Sequence, residues 1–533
     1  MIFIVLVAFP VVWICYLFYQ YALNVPHWDD HALKYFILNF EKTTSFNDKI
    51  KLLFAQHNEH RIVLTRLFAL LVVFLKGNLD FKWLMFLGNL SLFGILVIFY
   101  KILIINKKPI ISAIPLVWLL LTASLYEIFF WGMTSVQNFW VIFLALFSFY
   151  HLSYKSSKYS FLLALVTSLL ALLTSGNGLL VGIIGFVILG LIKEYKLLFL
   201  WMIFNGILIF YYFFFYTQRP DSAASLHEFS LMAFMKNTIV FLGVALDSFW
   251  ILPFLRVKIA IAAAIVLFTF FVVVAFKLLN KNKLVNENQN FLFLFSSTLF
   301  ILGTAAIIVL SRLNYGTDIL FTSKYKIYST LFAMLLCCYF LVIQSTKTYK
   351  LTLLISMIFG ILIWLNFYLI DYRNVIYTYQ ERIADLINWK LEAKNKGQQI
   401  SNYPYQMPLS LLDNFPTNFM KDSTIIDSIN EQKDYIDFVD SNFVSQNASY
   451  LLLKNNQEEF IVPTFAKVNP SKKTILKNYF VNGFTASFSK INRVSGKYQI
   501  FLIQSEENSL RMFNTGKVID IEGVIQKEKP KNW

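Results

Sequence analysis

The chain has 533 residues, of which 57% are hydrophobic, 18% aromatic and only 15% charged, with a formal net charge of +16. Soluble domains carry about 25% charged residues, so this composition excludes an ordinary soluble enzyme and implies an integral membrane protein. The basic excess lies mostly in short loops between apolar segments, where it orients a chain against a bilayer rather than marking a nucleic-acid surface, and the three cysteines (Cys15, Cys337, Cys338) sit in apolar segments and offer no disulfide framework.

In chain order, residues 1–21 are apolar, lack a basic leader and lack small cleavage residues before Asn24, so they predict a retained first membrane helix. A long polar loop follows over 24–82. Within it, residues 33–54 place Leu33, Phe36, Ile37 and Phe40 on one helical face, the pattern of a helix lying in the interface plane. Residues 62–75 are interrupted by Arg66 and closed by Lys76, too short for a crossing of about 20 residues. Further spans are predicted at 83–105, 110–130, 138–152, 161–174, 178–192, 197–216, 258–277, 291–310, 327–344 and 351–371, with a second doubtful segment at 236–252 that contains Lys236, Asp247 and Pro253.

The basic loops at Lys107–Lys108, Lys155–Lys158, Lys193–Lys196, Lys281–Lys283 and Lys347–Lys350 all fall on one side if neither doubtful segment crosses, and that side is then cytoplasmic. The expectation is a mainly α polytopic protein of eleven spans, thirteen if both doubtful segments cross, in the cytoplasmic membrane with its N-terminus inside. The membrane domain covers 1–371, and 372–533 forms a small α+β domain outside. Its helix carries the stripe Val375, Ile376, Tyr379, Ile383, Leu386, Ile387 and Leu391. Strand-like runs follow at 450–453, 460–462, 479–481, 497–503 and 517–524, with Asn482-Gly483 expected to form a hairpin turn.

Chemistry-bearing residues gather on the predicted outer side. Four of the six histidines (His27, His31, His57, His60) share the first loop with Asp29, Asp30 and Glu59, and ionisable groups held against a bilayer point to function. Asp29 and Asp30 are adjacent, so they point apart and do not share a proton; one suits a general base for a substrate hydroxyl while the other binds a metal or positions the loop, and the bland reading is a helix N-cap. If 57–61 is helical, His57, His60 and Arg61 fall on one face. The preferred role for His60 and Arg61 is phosphate recognition or acceptor positioning, with a divalent metal on Asp30, His57 and His60 as the second reading. A third outward cluster, from Arg312 and Tyr315 to Lys324, Tyr325 and Lys326, suits a lipid phosphate, although basic and aromatic residues are common at interfaces. The turn Thr174-Ser175-Gly176-Asn177-Gly178 and the residues Glu127, Trp131, Gln137 and Asn138 face the same side.

A first helix, an acidic pair in a long outer loop with interfacial helices, many further spans and an outer C-terminal region together resemble the GT-C class of membrane glycosyltransferases. The residues that carry the resemblance are Asp29-Asp30, Gln56 to Arg61, Trp131-Gly132, Ser175 to Gly178, and Ser311-Arg312 to Ser323-Lys324-Tyr325. It implies a polyprenyl-phosphate-linked sugar donor, a glycan or lipid acceptor, Asp29 or Asp30 as catalytic base, and a lipid phosphate held by Arg312, Lys324 or Arg61. The histidines His27 and His31 flanking the acidic pair depart from the usual motif and leave a divalent metal open. A polysaccharide polymerase or ligase is the second reading. A transporter is the third, since no internal repeat or mid-membrane charge is visible.

Overall fold

A computed structural model describes residues 2–155, 157–214, 216–217, 230–247, 253–280, 289–343, 346–395, 401–408, 419–420, 426–441, 449–468, 480–506 and 509–524. The first loop contributes α2 (Asp30–Lys42), α3 (Phe46–Phe54), the two-residue strands β1 (Gln56–His57) and β2 (His60–Arg61), and α4 (Val63–Lys76), after the first helix α1 (Ile2–Tyr21). The helices that follow are α5 (Phe81–Ile105), α6 (Ile114–Leu120), α7 (Tyr126–Phe129), α8 (Gly132–Tyr154), α9 (Ser160–Leu172), α10 (Leu179–Leu191), α11 (Tyr195–Phe214), α12 (Leu231–Gly243), α13 (Pro253–Asn280), α14 (Gln289–Arg312), α15 (Ser323–Ile343) and α16 (Thr346–Asn395).

Among the described residues, eight helices are long and apolar enough to cross a membrane, or nine if one bent pair is a single span. All eight fall on expected spans. The bent pair, Ile110–Leu120 with Ala123–Phe129, turns by 43° where a straight span is expected. The break leaves the Leu121 carbonyl outside a helix, and Trp364 satisfies it through Nε1 at 2.9 Å. The remaining two expected spans are the shorter helices Ser160–Leu172 and Gly176–Leu191. The doubtful segments are also short: α4 has 14 residues and α12 has 13, and 248–252 lies outside the described residues. Burial separates centre from rim. The apolar windows of α15 and α8 are 83% and 72% buried, whereas those of α1 and α11 are 17% buried and face outward.

The expected interfacial segment is two helices. The predicted face of α2 is buried at Leu33, Phe36 and Ile37. In contrast, α3 buries none of its residues and exposes Phe46, Ile50 and Phe54, the profile of a helix resting on a lipid surface.

The composition change at Asp371 is not a break in the chain's structure. Helix α16 runs unbroken through it for 50 residues, roughly 75 Å at the usual helical rise, and the expected stripe is its upper half. The strands beyond are β3 (Phe419–Met420), β4 (Ser428–Glu431), β5 (Tyr435–Asp440), β6 (Ser449–Lys454), β7 (Glu459–Pro463), β8 (Phe465–Val468), β9 (Phe480–Ser489), β10 (Gly496–Glu506) and β11 (Ser509–Ile521). They form a five-stranded sheet ordered β3-β11-β10-β6-β7 and a four-stranded sheet ordered β4-β5-β9-β8. One core lies between the sheets, with Phe438, Phe484 and Phe488 from one and Leu451, Leu453, Ile500 and Leu502 from the other. The alternate residues Tyr450, Leu452, Phe501 and Ile503 join the helical core on the α16 side. A strand covered on both faces reads as a continuous apolar run, which is why Tyr450-Leu451-Leu452-Leu453 stood out.

Asn482-Gly483 does not turn a hairpin. Both residues lie inside β9. Gly483 has φ +108°, and a Cβ there would stand 2.1 Å from the Asp440 carbonyl oxygen, so the glycine serves a close backbone approach inside a sheet.

Asn388 of α16 docks the sheet. Its amide donates to the Ile461 carbonyl at 2.8 Å and accepts from the Ile461 N–H at 2.8 Å, completing the ladder of edge strand β7. Asn388→Leu is expected to leave both groups bare at about 1–3 kcal/mol each. Hydrogen exchange should then rise at 459–463, and unchanged exchange there would contradict this role.

Candidate functional site

The two acids of the first loop have separate jobs. Asp30 is completely buried at the start of α2. Its Oδ1 accepts the Met133 N–H at 2.7 Å and its Oδ2 accepts the His27 N–H at 3.1 Å. Met133 is in the first turn of α8, so Asp30 caps that helix from another element and its charge meets the positive end of the helix dipole. Asp30 therefore fixes the loop beneath the cavity and is not presented to a substrate, which removes it from the expected catalytic pair. Asp29 stands at the N-cap position of α2, yet its side chain makes no capping bond. It lines the cavity instead.

Residues 56–61 form a hairpin rather than a helix, with His57 paired to His60 across the two-residue turn Asn58-Glu59. Asn58 supplies the left-handed φ of +52° that such a turn demands. Because neighbours in a strand face opposite ways, His60 and Arg61 separate. His57, Glu59 and His60 line the cavity. The Arg61 side chain turns away: Nε donates to Tyr212 O at 2.9 Å and Nη1 to Phe54 O at 2.5 Å. Arg66 donates to Leu53 O and Ala55 O at 2.9 and 2.5 Å. The two arginines thus serve as cations at the C-terminal carbonyls of α3, and Arg61 is not placed to hold a phosphate in the cavity.

The cavity, about 750 Å³, brings together Asp29, His57, Glu59, His60, Arg312, Lys324 and Tyr325 from three separate stretches of sequence. Trp131, Gln137, Asn138, Gly176 and Asn177 line it too. On the cationic side, Arg312 ends α14 and donates through Nε to the Tyr325 hydroxyl at 3.4 Å. The first turn of α15 is held by Glu127, whose carboxylate accepts the Lys324 N–H at 2.9 Å. Lys326, two residues on, faces the other way. It lies 3.4 Å from Asp247 and 3.7 Å from Asp371, and Arg256 makes a bidentate pair with Asp247 at 2.7 Å. These paired charges are structural partners within the helix packing, since a buried ion needs a counter-ion.

The cavity wall also carries polar atoms that the fold does not use. His60 Nδ1, Trp131 Nε1, Asn177 Oδ1 and the Tyr212 hydroxyl are buried without a hydrogen-bond partner among the described residues, and all four residues line the cavity. Buried polar groups are normally satisfied, so these four atoms are available to water or to a polar ligand in the cavity. Burial pushes the His60 pKa below its ordinary value, favouring the neutral ring. Gly176 makes room for that ring, because a Cβ there would be 2.7 Å from His60 Nδ1.

Sequence reasoning missed Tyr212, Tyr216 and Tyr328, which line the cavity from inside or beside predicted spans. Aromatic residues in a hydrophobic segment look like lipid-facing bulk, and only the packing distinguishes them. The expected metal set is not assembled: Asp30 is engaged by two backbone N–H groups, and no group of three or more His, Cys, Asp or Glu with metal-holding geometry occurs among the described residues. Comparison with protein-family models, curated proteins and solved structures finds no match for the chain.

Burial pushes the Asp30 carboxyl up to about 7, against the pull of its two N–H donors and Arg382. A carboxyl whose pKa rises on folding holds its proton more tightly in the folded state. Its contribution to stability therefore declines as pH climbs from the ordinary range near about 4 toward that value. The thermal midpoint of the wild type relative to Asp30→Asn should accordingly be higher at pH 5 than at pH 8. An equal difference at both pH values would contradict titration of Asp30 in this window. Gly176→Ala is expected to displace the His60 ring without unfolding the chain, read as a shifted His60 imidazole NMR signal with an unchanged thermal midpoint; an unmoved signal would contradict the close approach.

Proposed function

We propose that this protein is a membrane glycosyltransferase of GT-C-like architecture that moves a sugar from a polyprenyl-phosphate donor to a glycan or lipid-linked acceptor at the outer face of the cytoplasmic membrane. The observation that carries the reading is that Asp29, Arg312 and Lys324 line one cavity together with the apolar side chains Ile307, Ile308, Leu310 and Leu179. A lipid-linked anion needs both surfaces at once: cations for the phosphate and an apolar flank for the chain.

In the proposed reaction the Asp29 carboxylate takes the proton of an acceptor hydroxyl. The acceptor oxygen bonds to the anomeric carbon as the bond from that carbon to the phosphate oxygen breaks, which inverts the centre. Polyprenyl phosphate departs with the bonding pair, and Arg312 and Lys324 stabilise the charge that develops on it. The hydroxyl of Tyr325 steadies the Arg312 guanidinium. The unsatisfied atoms of His60, Trp131, Asn177 and Tyr212 supply hydrogen bonds to a polar headgroup. A surface-polysaccharide polymerase or ligase is the second reading, favoured by the presence of His57, His60 and Arg312 in the same cavity.

Glycan mass spectrometry on cells lacking the protein, rescued with variants at equal expression, tests the proposal. Wild type should restore one sugar increment. Asp29→Asn should fail by roughly 10²–10⁴-fold, the usual contribution of a general base, and Arg312→Gln should also lose product. Full rescue by Asp29→Asn would overturn the base assignment, and a change in polymer length instead of a lost increment would favour the polymerase.

A further inference from the structure

We propose that Arg382, on the upper half of α16, is a positioning residue for the cavity wall formed by Asp29 and Trp131, acting through the ring of His27. The proposal rests on the transfer reading above for its catalytic consequence, while its structural consequence can be measured separately.

The guanidinium of Arg382 is buried, and its Nη1 lies 2.5 Å from His27 Nδ1. A guanidinium only donates, so Nδ1 carries a lone pair and the ring proton resides on Nε2. Burial and the adjacent Arg382 push the His27 pKa down, which agrees with a neutral ring. That ring stands edge-on to Trp131, with centroids 4.8 Å apart and planes at 73°. The backbone of the same residue closes the turn that presents Asp29: the His27 N–H donates to Asp30, and its carbonyl accepts the Asp30 N–H at 2.8 Å. Arg382 therefore grips the side chain at the base of the turn, and both cavity residues are set by where that side chain sits.

The orientation of Arg382 is costly. Its ion-pair partners Glu381 and Asp385, at 3.3 and 3.8 Å, have side chains 38% and 49% exposed. An arginine turned to solvent would reach both without losing its hydration. Here it points inward, with Nε buried and lacking a hydrogen-bond partner among the described residues. There its guanidinium meets the His27 ring, and its charge also acts on the buried Asp30 carboxyl that closes the same turn. Elsewhere the loop is held independently. The Lys34 amine lies 4.1 Å from the centre of the Trp389 ring, the Tyr405 hydroxyl donates to Asn24 O at 2.6 Å, and the Leu79 N–H donates to Pro404 O at 2.7 Å. A variant without the guanidinium therefore keeps its other anchors.

The test uses the full chain in detergent or nanodiscs and in the rescue assay, with Arg382→Met, Arg382→Lys, His27→Ala and the double variant His27→Ala/Arg382→Met. Hydrogen exchange in Arg382→Met should rise at 27–33 and 131–135 and stay at wild-type level in 480–506. Arg382→Lys, which keeps a donor, should recover part of that protection. Product formation by Arg382→Met should fall roughly 10²-fold, the scale of a small misplacement at a reacting centre. The double variant should be no worse than the poorer single variant, because both substitutions break one path. Wild-type exchange at 27–33 and 131–135 in Arg382→Met, or multiplicative losses in the double variant, would overturn the proposal. Loss of the transfer reading shows differently, as full rescue by Asp29→Asn, and the exchange comparison still decides the role of Arg382.

Discussion

The buried carboxylate of Asp30 joins two parts of the chain that are about a hundred residues apart. One oxygen holds the turn after the first helix and the other holds the start of α8. Asp29 directly precedes that bridge, and Trp131 stands two residues before the Met133 N–H that it holds. A carboxyl suits the position because its two oxygens accept two N–H donors at once. The same burial that makes the bridge rigid raises the carboxyl's pKa and withdraws it from substrate. The neighbouring Asp29, one residue earlier, keeps the opposite orientation.

Cations near the membrane surface divide along the same line. Arg61 and Arg66 meet the carbonyl end of α3, Lys326 and Arg256 meet Asp247 and Asp371, and Arg382 meets His27. Each has at least one partner that the fold supplies. Arg312 and Lys324 line the cavity beside atoms of His60, Trp131, Asn177 and Tyr212 that have no hydrogen-bond partner among the described residues. The mixture of cationic, polar and apolar walls around one space is what the proposed amphiphilic anion would need.

Much of this was legible before any coordinates. Asp29, His57, Glu59, His60, Arg312, Lys324 and Tyr325 were visible because polar residues at the ends of apolar segments are expensive there, and they do share one cavity. The sidedness of individual side chains was not legible. Whether Asp29 or Asp30 faces outward depends on the turn at 27–30, and Arg61 was grouped with His60 on helical spacing that the Asn58 turn replaces. The eleven apolar segments are legible, but the 43° bend after Leu120 is not, since the carbonyl it frees finds its donor in Trp364, far along the chain. Arg382 carried a signal that was passed over: it falls three residues after Tyr379 and four before Leu386, on the apolar stripe of the upper helix, where an arginine has no reason to be unless something buried awaits it.

In the proposed function the cavity holds a lipid-linked phosphate against Arg312 and Lys324 with its headgroup toward Asp29. Electron cryomicroscopy of the nanodisc-embedded protein with a saturating short-chain prenyl-phosphate sugar tests it most directly. The account predicts density in the cavity, with the phosphate between Arg312 and Lys324, the headgroup against His60, Asn177 and Trp131, and the chain leaving past Ile307 and Leu310. An empty cavity at saturation, or a phosphate bound at Arg61 or Arg66 instead, would contradict it.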